Sequence, residues 1–418
     1  CFEPELGVRL ESLRSHGFTR CETEELQYGL LQITNNMFAQ VDDDLTMVSL
    51  LPRKLMKLKH QQHGEPIELL RKIISLTCDF GTLPFANLAR CGFVAISLLK
   101  SLLRSGHMTE RDMDNFMESL NTVSKEIGQD VEKLQAGTMT KDDFLSQYGH
   151  LRPGTYDICT PRYDENFDLY FPLKNHPEGA SVQRKVEGKY SLDERTQVRV
   201  TEYLHKSGLK IDCEQLLEFC KKSIEGREKA KFIFTGAVSD ILAQLASLGE
   251  SFNIHNFDMS FMDIKWLLRE RNCNKAHILD NLISNRKQRR ADLWVKLPST
   301  ILSLRSLHLH EECAVRPNFV TKKCICGDVV TEQNLFASSL EGKIIVVESA
   351  DPGWDWLFSN NIGALVTCYG GANSHMAIRA AELSLPAAIG VGEVKFKLFA
   401  SSRTLQIDAL SQMITKMR

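Results

Sequence analysis

The stretch from Gly363 to Ala387 constrains the fold more than any other part of the chain. A short apolar run, Gly363-Ala364-Leu365-Val366, leads through Thr367-Cys368-Tyr369 into Gly370 and Gly371. Asn373 and Ser374 follow, then His375 at the head of a helix-forming stretch that runs to Leu385 and stops at Pro386. Adjacent glycines let a backbone turn sharply and approach a bulky anion. Asn373 and Ser374 are good N-cap residues. A first-turn histidine sits in the positive end of the helix dipole, which favours a neutral, nucleophilic imidazole and stabilises a phosphate beside it. Taken singly, a first-turn histidine is more often a cap or a core residue, and a Gly-Gly pair is usually only a turn. Together, between a strand and a helix, they point to a histidine that accepts a phosphoryl group, with Gly370, Gly371 and Ser374 around it.

This segment closely resembles the phosphohistidine swivelling domain of the PEP-utilising dikinases. The match holds at Gly370, Gly371, Ser374, His375, Ala377, Ile378, Ala380, Glu382, Leu383, Pro386 and Ala387. The resemblance implies that His375 accepts a phosphoryl group from ATP and hands it to a second substrate. Three positions depart from the family pattern: Asn373 replaces a threonine, Ala381 an arginine and Ser384 a glycine. Arg379, four residues after His375 and so on the same helix face, is the candidate to replace that arginine as a phosphate ligand. A solvated surface arginine is the competing reading. Asp351-Pro352-Gly353-Trp354 also resembles a family segment, with a plain turn and a buried tryptophan as the alternative.

A chain of 418 residues is expected to hold about two or three domains. Its apolar fraction of 43% and charged fraction of 25% are those of an ordinary globular protein. A formal net charge of −2 gives no global electrostatic case for nucleic acid or a membrane surface. The dense basic cluster Arg286-Lys287-Gln288-Arg289-Arg290 reads as a solvated helix face. The longest apolar stretch, Phe93 to Leu99, is too short to span a bilayer, which takes about 20 residues. Twelve cysteines lack metal-ligand spacing, Cys324 and Cys326 being the closest pair, so no metal site is expected; scattered thiols suggest a reducing cytoplasm. The first residue is cysteine, which suggests a fragment of a longer protein.

Most of the first three hundred residues read as helix. Thr109 to Asp112 opens a helical pattern through about Leu134, ended by Gly137. Ser191 to Glu194 reads as a second capping box, Asp212 heads another helix, Phe232 to Leu248 is a helix stopped by Gly249, and Ser260 to Asp263 starts one through about Arg271. After Pro317 the pattern becomes short β-type runs at Cys324–Val330, Lys343–Ser349, Ala364–Cys368, Ala387–Val391 and Thr404–Asp408. Helical pieces at Trp354–Asn360 and Ser374–Leu385 alternate with them. The expected architecture is multi-domain α and α/β: a mainly helical acceptor and linker domain over residues 1–300, a hinge over 301–317, and a compact α/β swivelling domain over 318–418.

The loop Tyr148 to Asp164 is the second informative segment. Its prolines and glycines exclude helix, and it gathers His150, Arg152, Asp157 and Arg162. Arginine in a rigid loop suits two-pronged binding of carboxylate or phosphate. On composition alone, internal Arg–Asp pairing is the stronger reading. Members of the same family carry a similar loop, which implies an acceptor site, and the form seen here is closer to the glutamine kinase branch. That implies the side-chain amide of L-glutamine as acceptor, with Arg152 and Arg162 on its carboxylate, Asp157 on its ammonium and His150 as general base. A bulky rifamycin-type acceptor and a non-catalytic phosphocarrier are the alternatives. A third resemblance, Arg227-Glu228 before Lys231-Phe232, reads as a charge pair on a helix surface. No glycine-rich phosphate loop is seen in the chain. The resemblance therefore implies that ATP and Mg²⁺ are bound mainly by an ATP-grasp nucleotide-binding domain, normally in the same polypeptide, and that this chain alone is inactive with ATP.

Overall fold

The computed structural model describes residues 2–61, 66–171, 190–269, 274–292, 316–336, 339–372 and 374–417. Most of the expected hinge, and Asn373, lie outside the described residues. The chain divides into two compact units, Cys1–Glu126 with Gly179–Ile241 and Ile127–Glu178 with Leu242–Arg418.

The first unit is helical. Its longest helix, Arg20–Gln61, runs through Pro52, and Leu83–Arg104 packs against it. Leu88, Cys91, Ala95, Leu98 and Leu102 recur at helical spacing and are buried among Val41, Val48, Val200, Leu204, Leu216 and Ile224. Pro66–Arg104 and Cys213–Ser251 are each long and apolar enough to cross a membrane by length and composition, although the longest uninterrupted apolar run in the sequence is short. Part of that apolar surface forms the core just described.

Three helix boundaries differ from expectation, each for a local reason. The helix opened by the Thr109–Asp112 capping box ends at Glu118, and a second one covers Val123–Gln135. Between them the Asn121 amide donates to Glu225 Oε1 at 2.7 Å, and Lys125 Nζ donates to the carbonyls of Glu118 and Leu120. Side chains thus satisfy backbone groups that a continuous helix would have paired. Asp193, not Ser191, caps Glu194–Lys206, accepting from the Thr196 amide. The Asp212 and Phe232 segments form one helix, Cys213–Ser251. It passes Gly249 and ends where Asn253 turns left-handed at φ 54.

In the second unit a seven-stranded mixed sheet has the order β1-β5-β4-β3-β2-β6-β7. The strands are β1 (Asn318–Val320), β2 (Cys324–Thr331), β3 (Ile344–Val347), β4 (Ala364–Thr367), β5 (Ala387–Ile389), β6 (Thr404–Asp408) and β7 (Met413–Lys416). Strands β2 to β5 are parallel neighbours, and β1, β6 and β7 extend the edges antiparallel. Every residue of β3, β4 and β5 is buried, as expected for inner strands of a parallel sheet. The two short edge strands β1 and β7 were not legible in the sequence. The basic cluster lies on the helix Lys275–Asp292, where Arg286 pairs with Asp258 at 3.1 Å.

Candidate functional site

The β4 strand delivers the chain to the sheet edge where Gly370 and Gly371 turn it into the helix His375–Glu382. Gly370 adopts φ 130, and a side chain there would also meet Ala350 and Ile389 at 2.9 Å. Ser374 occupies the N-cap position, yet its hydroxyl makes no capping bond and is buried without a hydrogen-bond partner among the described residues. The first-turn amides of this helix are therefore not satisfied by that side chain. At the other end Ser384 takes φ 51, and its successor Leu385 donates back to the Ala380 carbonyl. A left-handed residue at this position is one that glycine takes without strain.

The histidine is not alone. Its Nε2 lies 2.9 Å from Asp355 Oδ1, and Arg379 Nε lies 3.4 Å from the same oxygen. Arg379 Nη1 also donates to Glu382 at 3.0 Å. The three side chains of His375, Asp355 and Arg379 are 9%, 3% and 10% exposed. The His375 contact is at hydrogen-bond length, but its geometry is not that of an aligned hydrogen bond. Burial works against the Asp355 carboxylate; His375 and Arg379 outweigh it and hold the carboxyl below its ordinary range. Burial likewise opposes the Arg379 charge, and Asp355 with Glu382 more than offsets it. The guanidinium lies over the Phe358 ring at 5.7 Å and against Gly128, where a Cβ would come within 2.5 Å of it.

Asp355 was not singled out in the sequence. It sits on the 3-10 helix Pro352–Asn360, directly after the Asp351-Pro352-Gly353-Trp354 segment and between two buried tryptophans. An acidic residue flanked by Trp354 and Trp356 was the available signal. Only the helix crossing places it against His375.

The same segment is gripped by the loop before Asp164. Tyr163, fully buried, donates its hydroxyl to the Gly353 carbonyl at 2.9 Å. Gly353 packs so closely on the Arg152 carbonyl that a Cβ would stand 1.9 Å from its oxygen. Around this clasp the rings of Tyr170, Phe336 and Trp356 meet, with Phe336 and Trp356 stacked at 5.6 Å. Within the loop, Arg152 is 4% exposed and donates to the carbonyls of Asp157 and Thr160. The Asp157 carboxylate accepts from the Cys159 amide and the Thr160 hydroxyl. Arg162 forks onto both oxygens of Asp164 at 2.9 and 2.6 Å. His150 is half-buried, with Nε2 shielded from solvent. The internal arginine–aspartate pairing weighed from composition is present at Arg162. Arg152 and Asp157 also have structural bonds to keep. Arg227 lies in the first unit, largely desolvated beside Gly92. Among the described residues no group of three or more His, Cys, Asp or Glu side chains is placed to hold a metal ion.

Comparison with known proteins places this geometry. Residues 340–412 match the family model described as "PEP-utilising enzyme, mobile domain". Rifampicin phosphotransferase of Bacillus subtilis is 26% identical over 70% of this chain and 35% of its own length. A rifampicin phosphotransferase of Streptomyces sviceus is 26% identical over 63% of the chain and 33% of its own length. Phosphoenolpyruvate synthase of Aquifex aeolicus is 27% identical over 38% of the chain and 19% of its own. The chain thus spans about a third or less of the curated relatives it matches. The buried strands β3 to β5, the glycine turn and the histidine-headed helix all fall inside the matched residues, and this part of the chain is similar to the mobile domain of PEP-utilising enzymes.

Proposed function

We propose that this chain is the acceptor-binding and carrier part of an ATP-dependent phosphotransferase in which His375 is the carrier. The observation that carries the reading is His375 itself, at the start of a helix whose N-cap hydroxyl is uncommitted, inside the matched mobile domain. An imidazole nitrogen forms an N–P bond to the β-phosphorus as the bond to the AMP leaving group breaks; water then cleaves the β–γ bond, releasing phosphate and leaving phosphohistidine. Gly370, Gly371, Ser374 and the first-turn amides cradle the phosphoryl oxygens, with Arg379 close behind. Mg²⁺ brought with ATP would neutralise phosphate charge. In the second half-reaction the acceptor's nucleophilic atom takes the phosphoryl group, the N–P bond breaks and the imidazole is regenerated.

Such a carrier needs two seats, one for each half-reaction. The Tyr163–Gly353 clasp fits the seat of the discharged carrier, parked beside the loop expected to serve the acceptor after the phosphoryl group has left. The acceptor we favour is the amide of L-glutamine. What supports it is the resemblance of the Tyr148 to Asp164 loop, which carries His150, Arg152, Asp157 and Arg162, to the glutamine kinase branch. A rifamycin-type acceptor is the second reading, favoured by the names of two relatives. Free thiols at Cys21, Cys78, Cys91, Cys159, Cys213, Cys220, Cys324, Cys326 and Cys368 support a reducing cytoplasm. The test is an acceptor screen on the intact protein, reading AMP release. His375→Asn should abolish acceptor-dependent release; normal turnover by that variant removes the proposal.

A further inference from the structure

We infer that Asp355 is a positioning residue that caps Nε2 of unphosphorylated His375, so that this closed arrangement favours the free imidazole over phosphohistidine. The inference rests on the carrier reading above. The gap between Nε2 and Asp355 Oδ1 is 2.9 Å. That is a hydrogen-bond length, with no room for a phosphorus atom and its oxygens. Both side chains are almost wholly buried, so the ring cannot be charged at Nε2 without leaving the carboxylate.

Charge argues the same way. The groups facing Asp355 are His375 and Arg379 from the next helix, with the neutral Tyr163 hydroxyl interacting from the loop side. Arg379 is the balancing cation, and Glu382 already shares it at 3.0 Å. Two carboxylates and one guanidinium leave the cluster short of positive charge. A phosphoryl group adds about −1.5 to −2 more. Differential interaction with two states is what shifts an equilibrium. Asp355 attracts an imidazole that carries a proton on Nε2 and repels a phosphorylated one. Its effect is to draw the ring home after the phosphoryl group has left, and to resist premature charging while the clasp is closed.

Phosphoramidate gives a direct test on the chain without ATP. The imidazole nitrogen forms the N–P bond, the P–N bond of the reagent breaks, ammonia leaves, and any proton released from the ring passes to water. Wild type, Asp355→Asn and Asp355→Ser are treated alike, with His375→Asn as background. Charging is mapped to the His375 peptide by mass spectrometry, and the ring nitrogen is identified by ³¹P NMR. Loss of a charge-assisted contact of this kind predicts about tenfold faster charging in both variants. The Nε2 isomer should account for the gain, and the phosphorylated form should survive longer after the reagent is removed. A merely loosened fold would not select one nitrogen. Equal rates and equal isomers in wild type and variants overturn the Asp355 role while leaving the carrier reading intact, as does slower charging in the variants. No phosphoryl group on His375 in any form overturns both.

Discussion

Replacing Tyr163 by phenylalanine tests whether the clasp holds the loop to the α/β sheet. The hydroxyl is fully buried and donates to the Gly353 carbonyl at 2.9 Å. The ring contacts, at 5.0 Å to Tyr170 and 5.1 Å to Phe171, survive the substitution, so packing is nearly unchanged. What is lost is the buried hydroxyl's hydrogen bond to the Gly353 carbonyl, at a cost of about 1–3 kcal/mol. Urea denaturation followed by tryptophan fluorescence reads this directly, because Trp354 and Trp356 flank the broken bond. The midpoint should fall with the slope unchanged. There is also a pH signature. Burial raises the Tyr163 hydroxyl well above its ordinary value. The unfolded chain therefore gives up this proton first, so stability is full below about pH 10 and declines as pH rises beyond it. The phenylalanine variant should lose that contribution to the alkaline decline. A loss below about 0.3 kcal/mol at neutral pH, with an unaltered alkaline limb, refutes the clasp as described.

Two further outcomes follow from the same unit. Ser384→Gly should stabilise the unit by about 0.5–1 kcal/mol, because φ 51 penalises a side chain; a loss of stability in thermal melts contradicts the left-handed cap. Asp355, held below its ordinary range by His375 and Arg379, contributes stability that is present above about pH 4 and lost as pH falls further. Asp355→Asn should flatten that acid limb in a urea series from pH 5 to pH 2; an identical acid limb in both proteins argues against an ionised carboxylate at this position.

The amino-acid sequence by itself determined the elements whose residues leave no choice. Inner strands such as Ile344–Val347 are apolar throughout, and a run of that kind is stable only when covered on both faces. Gly370 before a helix headed by His375 needs no tertiary information, because φ 130 belongs to glycine. The clustering of His150, Arg152, Asp157 and Arg162 in one non-helical loop was equally legible, since proline and glycine act locally. The tertiary structure alone decided the rest. Edge strands β1 and β7 are three and four residues long and form only because a neighbour offers hydrogen bonds. The helix break at Ser119–Thr122 depends on Glu225, more than a hundred residues away. Asp355 reaches His375 because a 3-10 helix crosses a helix start, and no spacing along the chain encodes that. Local conformation follows from sterics within a few residues. Which charged groups share a buried site is set by chain crossings that bring distant residues within about 3 Å, where charges act strongly.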